Sequence, residues 1–109
     1  MKSEQAIDAL ASLAQEHRLA IFRLLVEVGK DGLAAGMIAE KLDVPPSSLS
    51  FHLAHLTRAG LLTQERQSRT LIYRANYAAM NKLIAYLLEN CCAGDACAVD
   101  LIATQGACK

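Results

Sequence analysis

A proline-marked break separates two short helical segments near the middle of this 109-residue chain and limits the folds open to it. Apolar residues at helical spacing predict a helix over Ala34 to Leu42, and Asp43-Val44-Pro45-Pro46 ends it. Because proline is favoured in the first turn of a helix, the next helix is predicted over Pro46 to Ala59. The segment is therefore predicted to be a helix, a tight turn and a helix.

A β-hairpin is predicted directly after this pair of helices. Gly60 is a typical helix stop, and the segments Leu61 to Arg66 and Arg69 to Arg74 alternate well enough for two strands around a Gln67-Ser68 turn. A helix-turn-helix followed by a hairpin is a winged helix. The predicted fold class is thus mainly α with a small β-hairpin.

Amphipathic helices flank the winged segment on both sides. Apolar residues expected to face inward on the first three helices are Ile7, Leu10, Leu13 and Ala14, then Leu19, Phe22, Leu25 and Val26, then Met37, Ile38 and Leu42. The predicted last helix, Tyr77 to about Asn90, carries Met80, Leu83, Ile84, Leu87 and Leu88 on a broad stripe. The first and last helices carry more apolar surface than one small domain can bury, which predicts a homodimer built across a twofold axis.

Composition and charge limit the function classes. With 53% apolar residues the chain can bury one modest core, predicted over residues 1–90, followed by a tail over 91–109. Charges among the first twenty residues exclude a secretory segment, and the longest apolar run, Leu83 to Leu88, cannot span a bilayer, so we expect a cytoplasmic protein without a membrane partner. The net charge is zero, yet Val44 to Leu88 holds five basic residues and one acid, as a short nucleic-acid footprint would.

The fourth predicted helix has a polar face opposite its leucines Leu49, Leu53 and Leu56. The residues expected to point away from the core are Ser47, Ser48, Phe51, Ala54 and His55. Hydroxyl groups near the start of a helix can donate hydrogen bonds to phosphates or base edges when that helix enters a major groove. Helix capping by the same serines is the alternative interpretation.

Two arginines flank the tip of the predicted hairpin. Arg66 and Arg69 are placed where cationic side chains can reach a neighbouring DNA backbone or minor groove, although a solvated hairpin edge would also carry them. The order of turn, helix and hairpin favours double-stranded operator DNA as the partner.

Three cysteines cluster just after the last predicted helix. Cys91, Cys92 and Cys97 fall within seven residues, and in a reducing cytosol such clustering favours thiolate coordination or redox chemistry over structural disulfides. Adjacent cysteines on a helix diverge by about 100°, so they can share one ion only if the helix unwinds after Asn90. Three sulfurs suit a soft trivalent centre such as As(III) or Sb(III).

Other uses of these thiols stay open. Zinc or cadmium would need a fourth ligand, for which Cys108 or one of Asp95 and Asp100 is available. A disulfide between Cys92 and Cys97 would make a redox sensor, and a small arsenite carrier would need the tail but not the hairpin. Catalysis is not expected, because neither Cys-x-x-Cys nor Cys-x5-Arg is present and no catalytic triad order appears.

The central sequence also resembles a known family. Leu49-Ser50-Phe51-His52-Leu53, Ala59-Gly60-Leu61-Leu62 and Ile72-Tyr73-Arg74 are similar to the recognition helix and wing of the ArsR/SmtB metalloregulators, over about residues 5 to 97. With Glu89-Asn90-Cys91-Cys92 and Cys97, the chain resembles the arsenite-responsive branch. That resemblance implies a homodimeric repressor that leaves its operator when ligand binds. It also implies that Ser47, Ser50 and Phe51 contact the major groove, with Phe51 in place of a more usual polar residue.

Overall fold

The computed structural model describes residues 1–89, which form a winged helix. The elements in chain order are α1 (Ser3–Leu13), α2 (Glu16–Val28), a 3-10 turn (Gly29–Asp31), β1 (Leu33–Ala34), α3 (Ala35–Leu42), α4 (Pro46–Arg58), β2 (Leu62–Gln67), β3 (Thr70–Ala75) and α5 (Tyr77–Leu87). The predicted fold class is confirmed. The predicted thiol ligands Cys91, Cys92 and Cys97, the additional Cys108 and the boundary of the tail at 90/91 lie outside the described residues.

The wing belongs to a three-stranded antiparallel sheet in the order β1-β3-β2. The hairpin register runs from Leu62 opposite Ala75 to Gln67 opposite Thr70, which places its turn one residue later than predicted. Ser68 adopts a left-handed conformation in that turn, with φ 59°. Strand β1 was not predicted, because two residues pairing with Ile72 and Tyr73 are too few to show a periodicity.

The core is centred on α4, which packs against α1, α2, α3 and β2. The exposed fractions of Leu49, Leu53 and Leu56 are 2%, 2% and 0%, so the predicted inward face of this helix is confirmed. Leu61 and Leu62, which follow α4, complete this side of the core. The core therefore fixes the position of α4 relative to the hairpin.

The inward faces predicted for the other helices are partly wrong. Helix α1 buries its small residues Ala6, Ala9 and Ser12, because small side chains allow close approach to α2 and α4. Large apolar side chains that remain exposed include Ile7, Leu10, Leu19, Met37 and Leu87. Helix α5 buries only Leu83 within the described part of the chain. Among residues 1–89, no helix has the length and apolar character needed to cross a membrane.

Candidate nucleic-acid interface

The start of α4 is open to solvent and carries no negative charge. Pro45 is the N-cap and provides no side-chain hydrogen bond, and Pro46 occupies the first turn as predicted. The Leu49 N–H donates to the Pro45 carbonyl at 2.9 Å. Ser47 and Ser48 follow Pro46 and do not cap the helix, so the capping interpretation is wrong. The partial positive charge of the helix N-terminus is left available for an anion such as phosphate.

The outward face of α4 presents hydroxyls followed by an aromatic ring. Ser47, Ser48, Ser50 and Ala54 are exposed, and so is 60% of Phe51. The Ser50 hydroxyl donates to the Pro46 carbonyl at 3.1 Å, which leaves its oxygen free to accept. An exposed phenyl ring can contact a thymine methyl but cannot hydrogen-bond a base edge.

His55 lies at the edge of this outward face and also faces α1. Its ring is half-buried, and its Nδ1 lies 3.1 Å from the Ser12 hydroxyl of α1. His55 lies three residues after the buried His52 and four after the exposed Phe51, and its ring is edge-on to that of Phe51 with centroids 6.3 Å apart. His55 therefore connects α4 to α1, and its contact with DNA stays a prediction.

A histidine cluster lies beneath the recognition face. The rings of His52 and His17 have centroids 5.5 Å apart, and Phe51 packs edge-on against His52 at 5.8 Å. The His52 Nδ1 is buried and has no hydrogen-bond partner among the described residues. Burial lowers the pKa of His52 below its usual value, and the positive charge of Arg18 adds to the effect. No group of three metal-ligating side chains occurs within residues 1–89.

The base of the wing is held by Arg74. Its Nη1 donates to the Glu65 carboxylate at 2.8 Å, and its Nε donates to the Lys30 carbonyl of the 3-10 turn at 2.6 Å. The charge of Arg74 is therefore neutralised, although it belongs to the basic centre predicted from the sequence. Arg66 and Arg69 are exposed towards the end of the hairpin, as predicted, and have no ion pair in the part of the chain that the structure describes.

Helix α4 and the sheet form the two sides of an open cleft that was not predicted from the sequence. We call it the helix–wing cleft, and its lining residues are Ala35, Ser50, Leu53, Ala54, Thr57, Arg58, Gln64 and Tyr73. Gln64 of β2 lies opposite Tyr73 of β3 in the sheet register. Strand alternation alone could have paired these two residues, but nothing in the sequence indicates that they face α4.

Comparisons with known proteins agree with this architecture. A helix-turn-helix domain model matches residues 13–65. The transcriptional activator HlyU of Vibrio cholerae is 31% identical over 85 residues, which are 78% of this chain and 76% of that relative. An ArsR-like transcriptional regulator from Rhodococcus sp. RHA1 superimposes with a TM-score of 0.69 at 27% identity, covering 97% of this chain and 94% of its own. A solved structure described as a possible transcriptional regulator for arsenical resistance matches with a TM-score of 0.62 at 28% identity, covering 73% and 80%.

The fold, the recognition face and these relatives define a DNA-binding transcriptional regulator of the winged helix-turn-helix class. Within that class, the chain belongs to the ArsR family of regulators. The relatives compared are named as regulators rather than enzymes, in agreement with the prediction that the chain is not catalytic.

Proposed function

We propose that the chain is a dimeric repressor that binds an operator through α4 and the wing and releases it when As(III) or Sb(III) binds Cys91, Cys92 and Cys97. One observation carries the DNA-binding mode. The first turns of α4 expose Ser47 and Ser48 at an uncapped N-terminus without acidic residues, beside a hairpin whose exposed arginines have no ion pair within residues 1–89. Such a helix start suits base and phosphate contacts in a major groove.

The proposal requires two copies of the chain. Ile7, Leu10 and Leu87 are 60%, 43% and 56% exposed, and they lie on α1 and α5, which contact each other. Pairing these helices with those of a second copy would bury that apolar surface. A twofold dimer then presents two α4 helices to half-sites about one helical turn, roughly 34–36 Å, apart.

The ligand assignment depends on the chemistry of the thiols. Thiolates are soft ligands, and three of them neutralise a trivalent arsenic or antimony centre. The cluster starts four residues after α5 ends, close in sequence to the helix that we assign to the dimer interface. The relative described as a possible regulator for arsenical resistance supports the same ligand class.

The proposed coupling runs through α5. Coordination of one ion by three cysteines would reorganise the chain beside α5, and α5 would change its packing against α1 and against the partner subunit. The spacing of the two α4 helices would then no longer fit both half-sites. Coupling free energies of roughly 1 to 3 kcal/mol are typical for such ligand effects, equivalent to a 5- to 150-fold loss of DNA affinity.

The test is a titration of arsenite and antimonite into the reduced protein on a labelled duplex from its own promoter. The wild-type protein should release DNA, and the triple variant Cys91→Ser, Cys92→Ser, Cys97→Ser should bind DNA equally well but fail to release it. Cys108→Ser is the matched control and should respond like the wild type.

Other ligands give distinguishable results. Release by the triple variant at wild-type arsenite concentrations would contradict the assignment of the sensing thiols. Release by zinc, cadmium or peroxide but not by arsenite would contradict the trivalent ligand. An arsenic absorption spectrum reporting three sulfurs per arsenic would support the proposed ligand set.

A further inference from the structure

We propose that the helix–wing cleft holds the DNA sugar-phosphate backbone, with Arg58, Gln64 and Tyr73 as donors to a phosphate group. This inference rests on the proposed placement of α4 in the major groove. The sequence patterns predicted no DNA-binding role for Gln64 or Tyr73. Arg58 was counted only among the five basic residues of Val44 to Leu88.

A major groove and the neighbouring minor groove are separated by one sugar-phosphate backbone. If α4 occupies the major groove and the wing tip reaches the adjacent minor groove, that backbone has to pass between them. The cleft occupies this position, since Ser50, Ala54 and Arg58 of α4 form one wall and Gln64 and Tyr73 of the sheet form the other.

Three polar side chains of the cleft lining can donate hydrogen bonds to a phosphate. Arg58 and Gln64 are exposed, Tyr73 is half-buried, and within residues 1–89 none of the three side chains has an ion pair or a hydrogen bond. A guanidinium, an amide and a phenol are all common donors to phosphate oxygens. Ala35 and Ala54, which also line the cleft, are small enough to let a backbone approach.

The lining of the cleft carries a positive charge. Successive residues of a strand point to opposite faces, so Gln64 and Arg66 share the face of β2 that also carries the buried Leu62. Glu65 lies on the other face, where Arg74 pairs with it. No acidic side chain is among the lining residues that the structure describes. A row of donors with one cation and no acid favours an anionic ligand.

The test compares Arg58→Ala with Arg23→Ala, a matched control that removes an exposed arginine on α2, outside the cleft lining. Affinities are measured for the operator and for an unrelated duplex of equal length, from about 50 to about 400 mM salt. Arg58→Ala should weaken both duplexes by a similar factor, roughly 10-fold at low salt. The slope of log affinity against log salt should fall by about 0.9 for each phosphate that is no longer neutralised, thus about twice that for a dimer.

Two further variants separate charge from hydrogen bonding. Arg58→Lys should keep the wild-type salt slope, because the positive charge remains. Gln64→Ala should weaken both duplexes without changing the slope, because a neutral amide displaces no counterion. Circular dichroism melting verifies that each variant is folded.

The outcomes distinguish this inference from the proposed function. If Arg58→Ala behaves like Arg23→Ala while Phe51→Ala lowers the operator preference, the cleft does not hold the backbone but α4 still reads DNA. If Arg58→Ala changes the ratio between operator and unrelated duplex instead of both affinities, Arg58 contacts a base and the phosphate assignment is overturned. If neither Phe51→Ala nor a Ser47→Ala, Ser48→Ala double variant affects binding, the proposed use of α4 itself fails.

Discussion

Helices α4 and α1 both carry large apolar residues at helical spacing, yet only α4 buries them. Leu56 of α4 is fully buried, whereas Ile7 of α1 is 60% exposed. Helix α4 is surrounded by α1, α2, α3 and β2, whereas α1 turns its small residues Ala6 and Ala9 towards the core. The same apolar pattern therefore forms the core in α4 and leaves exposed apolar surface on α1, which we propose is covered by a second copy.

The largest expected effect is the loss of stability on truncating a buried leucine of α4. Leu56→Ala should lower the free energy of unfolding by about 2 to 5 kcal/mol, because it removes a fully buried side chain and leaves a cavity. Urea denaturation measures the change. Ala54→Ser, on the exposed face of the same helix, should cost less than about 0.7 kcal/mol. Equal losses from the two variants would contradict the assignment of the buried face.

A substitution at the base of the wing measures how much the backbone geometry there contributes to stability, for comparison with the buried core. Gly32 has φ 66°, and a Cβ there would lie 2.6 Å from the Tyr73 carbonyl oxygen and 2.7 Å from Arg74 Cγ. Gly32→Ala should therefore lower the free energy of unfolding by about 1 to 3 kcal/mol. Gly36→Ala is the matched control, because a Cβ at that helical position meets nothing within 4 Å and should stabilise α3 by up to about 1 kcal/mol. If Gly32→Ala left the free energy of unfolding unchanged, the contact between β1 and β3 would be able to relax around the added Cβ.

Leu10→Ser tests the exposed apolar surface of α1. If α1 packs against a second copy, removing this side chain from both subunits should weaken dimerisation on the order of 10-fold, since burying one apolar side chain contributes about 1.5 to 3 kcal/mol when complete. Sedimentation at several protein concentrations measures the dissociation constant. An unchanged dimer would exclude α1 as its interface, and unchanged circular dichroism would show that each subunit stays folded.

The smallest expected effect is the pH dependence contributed by His52. Its pKa is lowered mainly by burial, so just below pH 6.5 the unfolded chain binds more protons at this residue than the folded one. The stability due to neutral His52 is present above that pH and is lost as the pH falls through the folded-state pKa. His52→Leu should flatten the dependence measured by urea denaturation from about pH 7.5 to about pH 5. His17→Gln should keep most of it, because burial is the larger cause, and a flat wild-type profile would contradict the prediction.

Sequence patterns predicted the helix-turn-helix and hairpin well, because their signals are local. Pro45-Pro46 ends one helix and starts the next within a few residues, and Gly60 follows the last turn of α4. The exposure of Ser47 and Ser48 also followed from spacing relative to the leucines. The cysteine ligands stay predictions, since no described residue bears on them.

Local sequence patterns specified the order of the five helices and the hairpin, the inward face of α4 and the candidate contacts along its start and at the wing tip, but not strand β1. Tertiary structure decided that α1 packs through alanines, that His55 pairs with Ser12 and that Arg58, Gln64 and Tyr73 line one cleft. The difference arises because the two kinds of interaction join residues at different separations along the chain. Periodicity and turn chemistry act over a few residues, whereas these contacts join residues far apart in sequence, whose distance depends on how closely whole helices and strands pack.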